Sequence, residues 1–287
     1  MGVWKFLKES GWIPDMVCGT SVGAINACAI GSDLEMEKIE LIWQKMERSR
    51  VYRMISLTDL ILKFKKKDYT PYMNPAPLEK FISEIINFKK LRSSAMEVII
   101  TAVNVNDSTL HFFKNRTISL DHIMASSAIP LLFPWRMIKN KPYWDGGVMM
   151  NTPLLPALKA GAKEIVLVLS SPVGGRDLPL PESSHDVMER FFEQSLIASF
   201  QSTLSCLDLS GNKKNLNGID IIVVSPVKMM GFQSILNFST NQTEDLVKKG
   251  YEDASSALRS HFKKLNTGKN PASKKTVSKK KRMALKK

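Results

Sequence analysis

Cysteine is scarce in this 287-residue chain, with three in all, Cys18, Cys28 and Cys206. They share no metal-ligand spacing, so no metal site is expected of them, and Cys18 and Cys28 lie in an apolar stretch where buried free thiols are the expected state. No run approaches the roughly eighteen consecutive apolar residues of a membrane-spanning helix. The first residues, "MGVWKFLKESGW", interrupt their apolar pattern with Lys5, Lys8 and Glu9 and offer no small-residue cleavage site. That does not read as a signal peptide, and a reducing, cytoplasmic setting is the expectation. Acid is missing from one end. Lys263 to Lys287 holds eleven Lys or Arg and no Asp or Glu, so of the formal charge of +14 only +3 belongs to the rest of the chain. This segment is poor in apolar residues and is expected to be a disordered basic tail. Such a tail serves solubility or attracts the chain to an anionic membrane or to nucleic acid. Residues 1–262 show neither aromatic–basic interleaving nor zinc-finger spacing, which speaks against nucleic acid as the main partner.

With 44% hydrophobic residues the chain can bury one substantial core, so one domain over 1–262 plus the tail 263–287 is the expected organisation. Met36, Ile39, Ile42, Trp43 and Met46 fall at helical spacing, as do Leu78, Phe81, Ile82, Ile85 and Ile86. "FKKKDYTPYMNPAP" between them reads as a surface loop, with Lys65 to Lys67 solvated. "EVIITAVNVN" (97–106) is β-branched and suits a buried strand, which "TLHFF" continues by a hairpin. "EIVLVLSS" and "GIDIIVVSP" are two more apolar runs of strand length. "SHDVMERFFEQSLIASFQSTL" and "TEDLVKKGYEDASSALRSHF" read as amphipathic helices, and "VKMMGFQSILNF" (227–238) as core or as apolar surface. Strands alternating with helices predict an α/β fold, a three-layer α/β/α sandwich with a mainly parallel central sheet.

Ligands of such folds collect beyond the carboxyl ends of the strands. "CGTSVGAINACAIG" (18–31) fits that place, as a strand entry over Ile13–Cys18 followed by a small-residue helix over Val22–Ile30 closed by Gly31. Two readings of Ser21 follow: a helix-capping serine in a Gly-bordered turn, or a nucleophile elbow in which only Gly19 and Gly23 fit beside an exposed hydroxyl. The backbone N–H of Val22, just after the serine, is a candidate oxyanion donor.

A serine hydroxyl needs a base to take its proton as it attacks. His111, His122, His185 and His261 are candidates without a motif around them. "YWDGGVMMNTP" (143–153) offers Asp145 instead. It reads either as an Asp-Gly hairpin turn or as a carboxylate shielded by Tyr143 and Trp144, its pKa raised and its pull on a hydroxyl proton strengthened. Gly146 and Gly147 would then allow close backbone approach.

"GTSVG" at 19–23, "ASSAIPLLFP" at 125–134 and "DGGVMMNTP" at 145–153, in that order and preceded by "GVWKFLKESG", resemble the patatin-like phospholipase family over roughly residues 2–170. The resemblance implies hydrolysis of acyl esters of lipids by a Ser-Asp dyad, with Ser21 as nucleophile, Asp145 as its base and no metal or organic cofactor. It also assigns Ser127 and Pro130 to a segment that shapes the site. One departure stands out: family chains begin with a strand and a glycine-rich oxyanion loop, and this sequence starts inside the helix that follows, keeping only Gly2. A truncated gene product, an inactive lipid- or membrane-binding member, or an enzyme whose donors come from elsewhere would each account for it. Each oxyanion donor contributes roughly 3–4 kcal/mol of transition-state stabilisation, so the loss matters.

Overall fold

The computed structural model describes residues 1–44, 47–56, 58–59, 69–170, 172, 180–183, 213–216, 218–227 and 240–267, with scattered positions between 186 and 201. The sequence around Met229–Phe238, His185, Cys206 and Lys65–Lys67 lies outside the described residues.

The apolar run 97–104 forms β4 (Glu97–Asn104), buried from Val98 onward, and it organises the first sheet. β1 (Met16–Gly19) pairs with it in parallel, from Met16 opposite Glu97 to Gly19 opposite Ile100. β5 (Thr109–Lys114) returns antiparallel through a short turn and lies along Ile99–Asn104, as the hairpin reading of "TLHFF" expects. β7 (Lys141–Asp145) also runs antiparallel to β4, with Asp145 opposite Ala102, and β6 (Arg136–Ile138) folds back onto β7. Since β5 occupies one edge of β4, β1 and β7 share the other. Their carboxyl ends meet head to head across Thr101.

The second sheet places β8 (Glu164–Val168) parallel to β10 (Ile219–Val224), with β9 (Lys213–Leu216) antiparallel outside. Alternation splits its side chains between two faces. Ile165, Leu167, Ile221 and Val223 pack with Leu154 beside α8 (Leu155–Lys159). Val166, Ile222 and Val224 pack against α1 (Gly2–Glu9) and α9 (Thr240–Thr267). These are the three layers of an α/β/α sandwich. The parallel pairs β1–β4 and β8–β10 form its centre, and hairpin strands are added to them.

The largest apolar cluster lies on one face of β4, where Val98 and Ile100 meet α2 (Val22–Gly31), α5 (Ala76–Ile85), α6 (Phe88–Ser93) and α7 (Leu120–Ser126). Leu78, Phe81, Ile82 and Ile86 are buried, as their spacing requires, and each such side chain contributes about 1.5–3 kcal/mol. On α3 (Met36–Gln44), Met36 and Ile39 are buried while Ile42 and Trp43 are partly so; Met46 is outside the described residues.

Gly31 does not close α2 as expected: it is the last helical residue, Ser32 follows, and the left-handed position falls to Asp33 at φ 55°. Glycine is needed at 31 because a Cβ would sit 2.3 Å from Val98 Cγ2. Gly2 has a similar reason, since a Cβ there would lie 1.9 Å from the Val247 carbonyl, so α1 and α9 cross almost backbone to backbone. α9 continues to Thr267, five residues into the expected tail. No helix among the described residues is long and apolar enough to cross a membrane.

Candidate active site

Ser21 stands between β1 and α2 with φ 56° and ψ −126°, a conformation that L side chains rarely adopt. Its side chain makes no capping bond to α2, which removes the helix-cap reading. Instead the hydroxyl lies beside the Asp145 carboxylate and favours its charged form. The two glycines flanking it are not equivalent. A Cβ on Gly19 would lie 2.1 Å from the Gly23 carbonyl oxygen, so position 19 admits glycine alone, whereas a Cβ on Gly23 would meet nothing within 4 Å. The expectation that both positions demand glycine is corrected for Gly23, whose Cβ direction points into open space.

Asp145 ends β7 and is 3% exposed. It opens the tight turn Gly146–Val148, and the Gly147 amide donates to its Oδ1 at 2.7 Å. The chain turns inward here and forms no hairpin. A Cβ on Gly146 would come within 2.1 Å of Thr101 Oγ1, so this glycine does provide the close approach expected of it. Burial raises the carboxyl pKa from 3.8 to about 7, opposed in part by the Ser21 hydroxyl and the Gly147 amide. A carboxylate poised there is able to hold or release a proton near neutrality.

Several hydroxyls that the sequence reading passed over hold this pair. Thr20 donates to the Met150 carbonyl at 3.0 Å and lies 2.7 Å from Thr101 Oγ1. A hydroxyl has one proton to give, so Thr101 donates to Thr20. Both threonines are buried, and their link ties the elbow to the middle of β4 and to the loop after Asp145. Ser126, wholly buried at the end of α7, accepts the Ser21 amide at 3.0 Å. The signal was a threonine inside the β-branched run 97–104, a hydroxyl that burial obliges to find a partner.

Ser127 and Pro130 follow directly. Ser127 is buried, and its Oγ has no partner among the described residues. Next to it, the Ala128 carbonyl accepts the Asp145 amide at 2.9 Å, so the segment 126–128 touches both Ser21 and Asp145. Pro130 is half-buried at the turn that leaves the site. Val22, the first residue of α2, has an amide with no acceptor inside its helix and a side chain 50% exposed.

The three described histidines are engaged elsewhere. His122 closes a capping box with Ser119, its Nδ1 lying 2.7 Å from Ser119 Oγ, and burial lowers its pKa. His111 bridges Thr109 and the Tyr143 hydroxyl, at 3.0 and 3.3 Å. His261 pairs with Glu164 at 3.1 Å. Both described cysteines are free thiols; burial, then the Glu97 charge, pushes Cys18 up to about 12, and burial raises Cys28. Neither supplies a thiolate nucleophile at neutral pH.

The family model described as Patatin-like phospholipase matches residues 1–158. Among curated proteins, the chain is 26% identical over 149 residues to a cGAMP-activated phospholipase of Pseudomonas aeruginosa, covering 48% of this chain and 44% of that one. It is 25% identical over 195 residues to Lysophospholipase NTE1 of Lodderomyces elongisporus, covering 67% of this chain and 13% of the other. The chain thus spans less than half the length of either relative. Among solved structures, VipD from Legionella pneumophila aligns at 15% identity and a TM-score of 0.41, over 91% of this chain and 64% of that one.

Proposed function

Because the chain belongs to the patatin-like phospholipase family, we propose that it is a serine acyl hydrolase that cleaves lipid esters through Ser21 and Asp145. The observation that carries this is the Ser21 hydroxyl set beside a buried carboxylate held near pKa 7. The two curated relatives are named a phospholipase and a lysophospholipase, which supports phospholipid esters as the substrate class.

In this reading ionised Asp145 accepts the Ser21 proton as Oγ attacks the ester carbonyl. The Gly147 amide fixes the carboxylate, and the Thr20–Thr101 and Ser126 bonds fix the serine. The Val22 N–H faces the developing oxyanion from the positive end of α2. Ser127 and Pro130 shape the wall beside it. Collapse of the tetrahedral intermediate breaks the ester C–O bond and leaves an acyl group on Ser21. The leaving alcohol takes the proton from Asp145; a water, deprotonated by the same carboxylate, then attacks the acyl-enzyme, and the fatty acid leaves as that proton returns to Ser21 Oγ. The dyad needs no cofactor.

The test is labelling of the full chain by a fluorophosphonate, together with ester hydrolysis, in the wild type, Ser21→Ala and Asp145→Asn. Labelling and turnover that vanish in Ser21→Ala support the assignment. Turnover unchanged in that variant overturns it, and vesicle binding without any turnover assigns the chain to an inactive, lipid-binding role.

A further inference from the structure

Exposed apolar side chains are ordinary when scattered, but here they gather where Ser21 and Asp145 meet. Val22 follows the serine, and Val148 and Met149, 49% and 44% exposed, follow Asp145. From Ser127 the chain climbs out to Leu131, which stays exposed although its φ is 69°, a left-handed value that leucine rarely takes. A two-stranded ribbon, β2 (Arg53–Met54) with β3 (Met73–Asn74), is fastened to that turn. The Tyr72 amide donates to the Leu131 carbonyl and the Met73 amide to that of Leu132, both at 2.9 Å. Tyr72 is exposed at this junction. Just beyond, exposed Trp135 stacks on Tyr69 with ring centroids 4.7 Å apart.

Two observations indicate what covers this face. The first is its chemistry: tyrosine and tryptophan combine an apolar ring with a polar tip and settle at the boundary between hydrocarbon and water. The second is charge. Arg48 and Arg50 on the short helix α4 (Arg48–Val51), then Arg53, all exposed, lead into the ribbon, and Glu47 is the one acid over residues 47–54. Arg53, opposite Asn74, lies on the ribbon face that also carries Tyr72. A cationic border beside an aromatic patch complements an anionic bilayer.

We infer that this face, formed by Val22, Tyr72, Leu131, Trp135, Val148 and Met149, docks on the surface of an anionic phospholipid membrane and presents Ser21 to the lipid ester there. What happens at that surface rests on the hydrolase reading above; the docking itself does not require turnover.

The experiment uses the full chain carrying Ser21→Ala and vesicles of phosphatidylcholine, alone or mixed with phosphatidylglycerol, at high salt so that the basic tail is screened. Adding Leu131→Glu and Tyr72→Glu is expected to weaken sedimentation with vesicles about tenfold or more, because two apolar side chains lose their burial in lipid. At low salt, Arg50→Glu with Arg53→Glu is expected to reduce the preference for the mixed vesicles about tenfold. A second readout leaves the face nearly intact: brominated phosphatidylcholine should quench tryptophan emission, and Trp135→Phe should abolish that quenching. Equal vesicle binding by the Leu131/Tyr72 variant, or quenching unchanged by Trp135→Phe, overturns the inference. With Ser21 restored, a soluble short-chain ester separates the two claims. If the wild type binds vesicles but does not hydrolyse that ester, docking stands and the hydrolase reading falls.

Discussion

Asp145→Asn should change how stability depends on pH, by an amount that follows from the burial of this carboxyl. In the folded chain its pKa is raised to about 7 from an ordinary 3.8. A raised carboxyl pKa means that the folded state keeps its proton while the unfolded state has lost it. The contribution is fully present below 3.8 and is lost as pH climbs to about 7, at about 1.4 kcal/mol per pH unit, or about 4 kcal/mol in all. Asparagine keeps the shape and an oxygen to accept the Gly147 amide, and its nitrogen is able to donate to Ser21, but it has no proton to lose. Between about pH 5 and about pH 8 the wild type should therefore lose about 3 kcal/mol relative to the variant. In urea denaturation this is a relative midpoint shift of about 1 M for a chain of this size. The variant should also hydrolyse esters about 10²–10⁴-fold more slowly, for want of a base, and wild-type kcat/KM should rise with pH through about 7. A stability difference that stays the same at both pH values would show that Asp145 is not held near neutrality, and the argument for its role as base would fail.

Three other outcomes are expected. Gly19→Ala should abolish folding of the elbow, because its Cβ would overlap the Gly23 carbonyl, whereas Gly23→Ala should fold and gain about 0.5–1 kcal/mol of helix stability; fluorophosphonate labelling and thermal melts of both variants check this. Thr101→Val removes the donor to Thr20 and should cost about 1 kcal/mol in denaturant unfolding, with a fall in kcat larger than any change in KM. If Lys263–Lys287 attracts anionic membranes, removing those residues should reduce the salt dependence of vesicle binding; equal salt dependence with and without them would exclude that role.

The strands built on continuous apolar, β-branched runs were legible in the sequence: 97–106 holds β4, and "EIVLVLSS" and "GIDIIVVSP" hold β8 and β10, whereas β6, β7 and β9 carry no such run. The serine and the aspartate were legible because glycines of unusual density surround each. Their convergence was not. Nothing in the local pattern around 141–145 says that this strand runs against β4 and ends on the edge where β1 ends, since period-two alternation carries no direction. The clamp of Thr20, Thr101 and Ser126 was hidden for a related reason, as a threonine in a strand is ordinary until a partner 81 residues away is seen to share its hydroxyl. The glycines taught a further distinction. Gly23 belongs to the motif yet has open space beside it, while Gly31, read as a helix stop, is in fact a packing contact.

The close crossing of α1 and α9 bears on the order in which the molecule is completed. Val3, Phe6 and Leu7 are buried in company with Ala254, Leu258 and Phe262, and the Phe6 ring meets Tyr251 edge-on at 5.5 Å. The helix synthesised before the elbow is therefore covered by one of the last described segments to leave the ribosome. Until that segment arrives, α1 exposes an apolar stripe and the scaffold behind Ser21 is unfinished. The two ends of the described fold thus complete each other, and the layer behind the elbow closes only after residues 240–267 have been made.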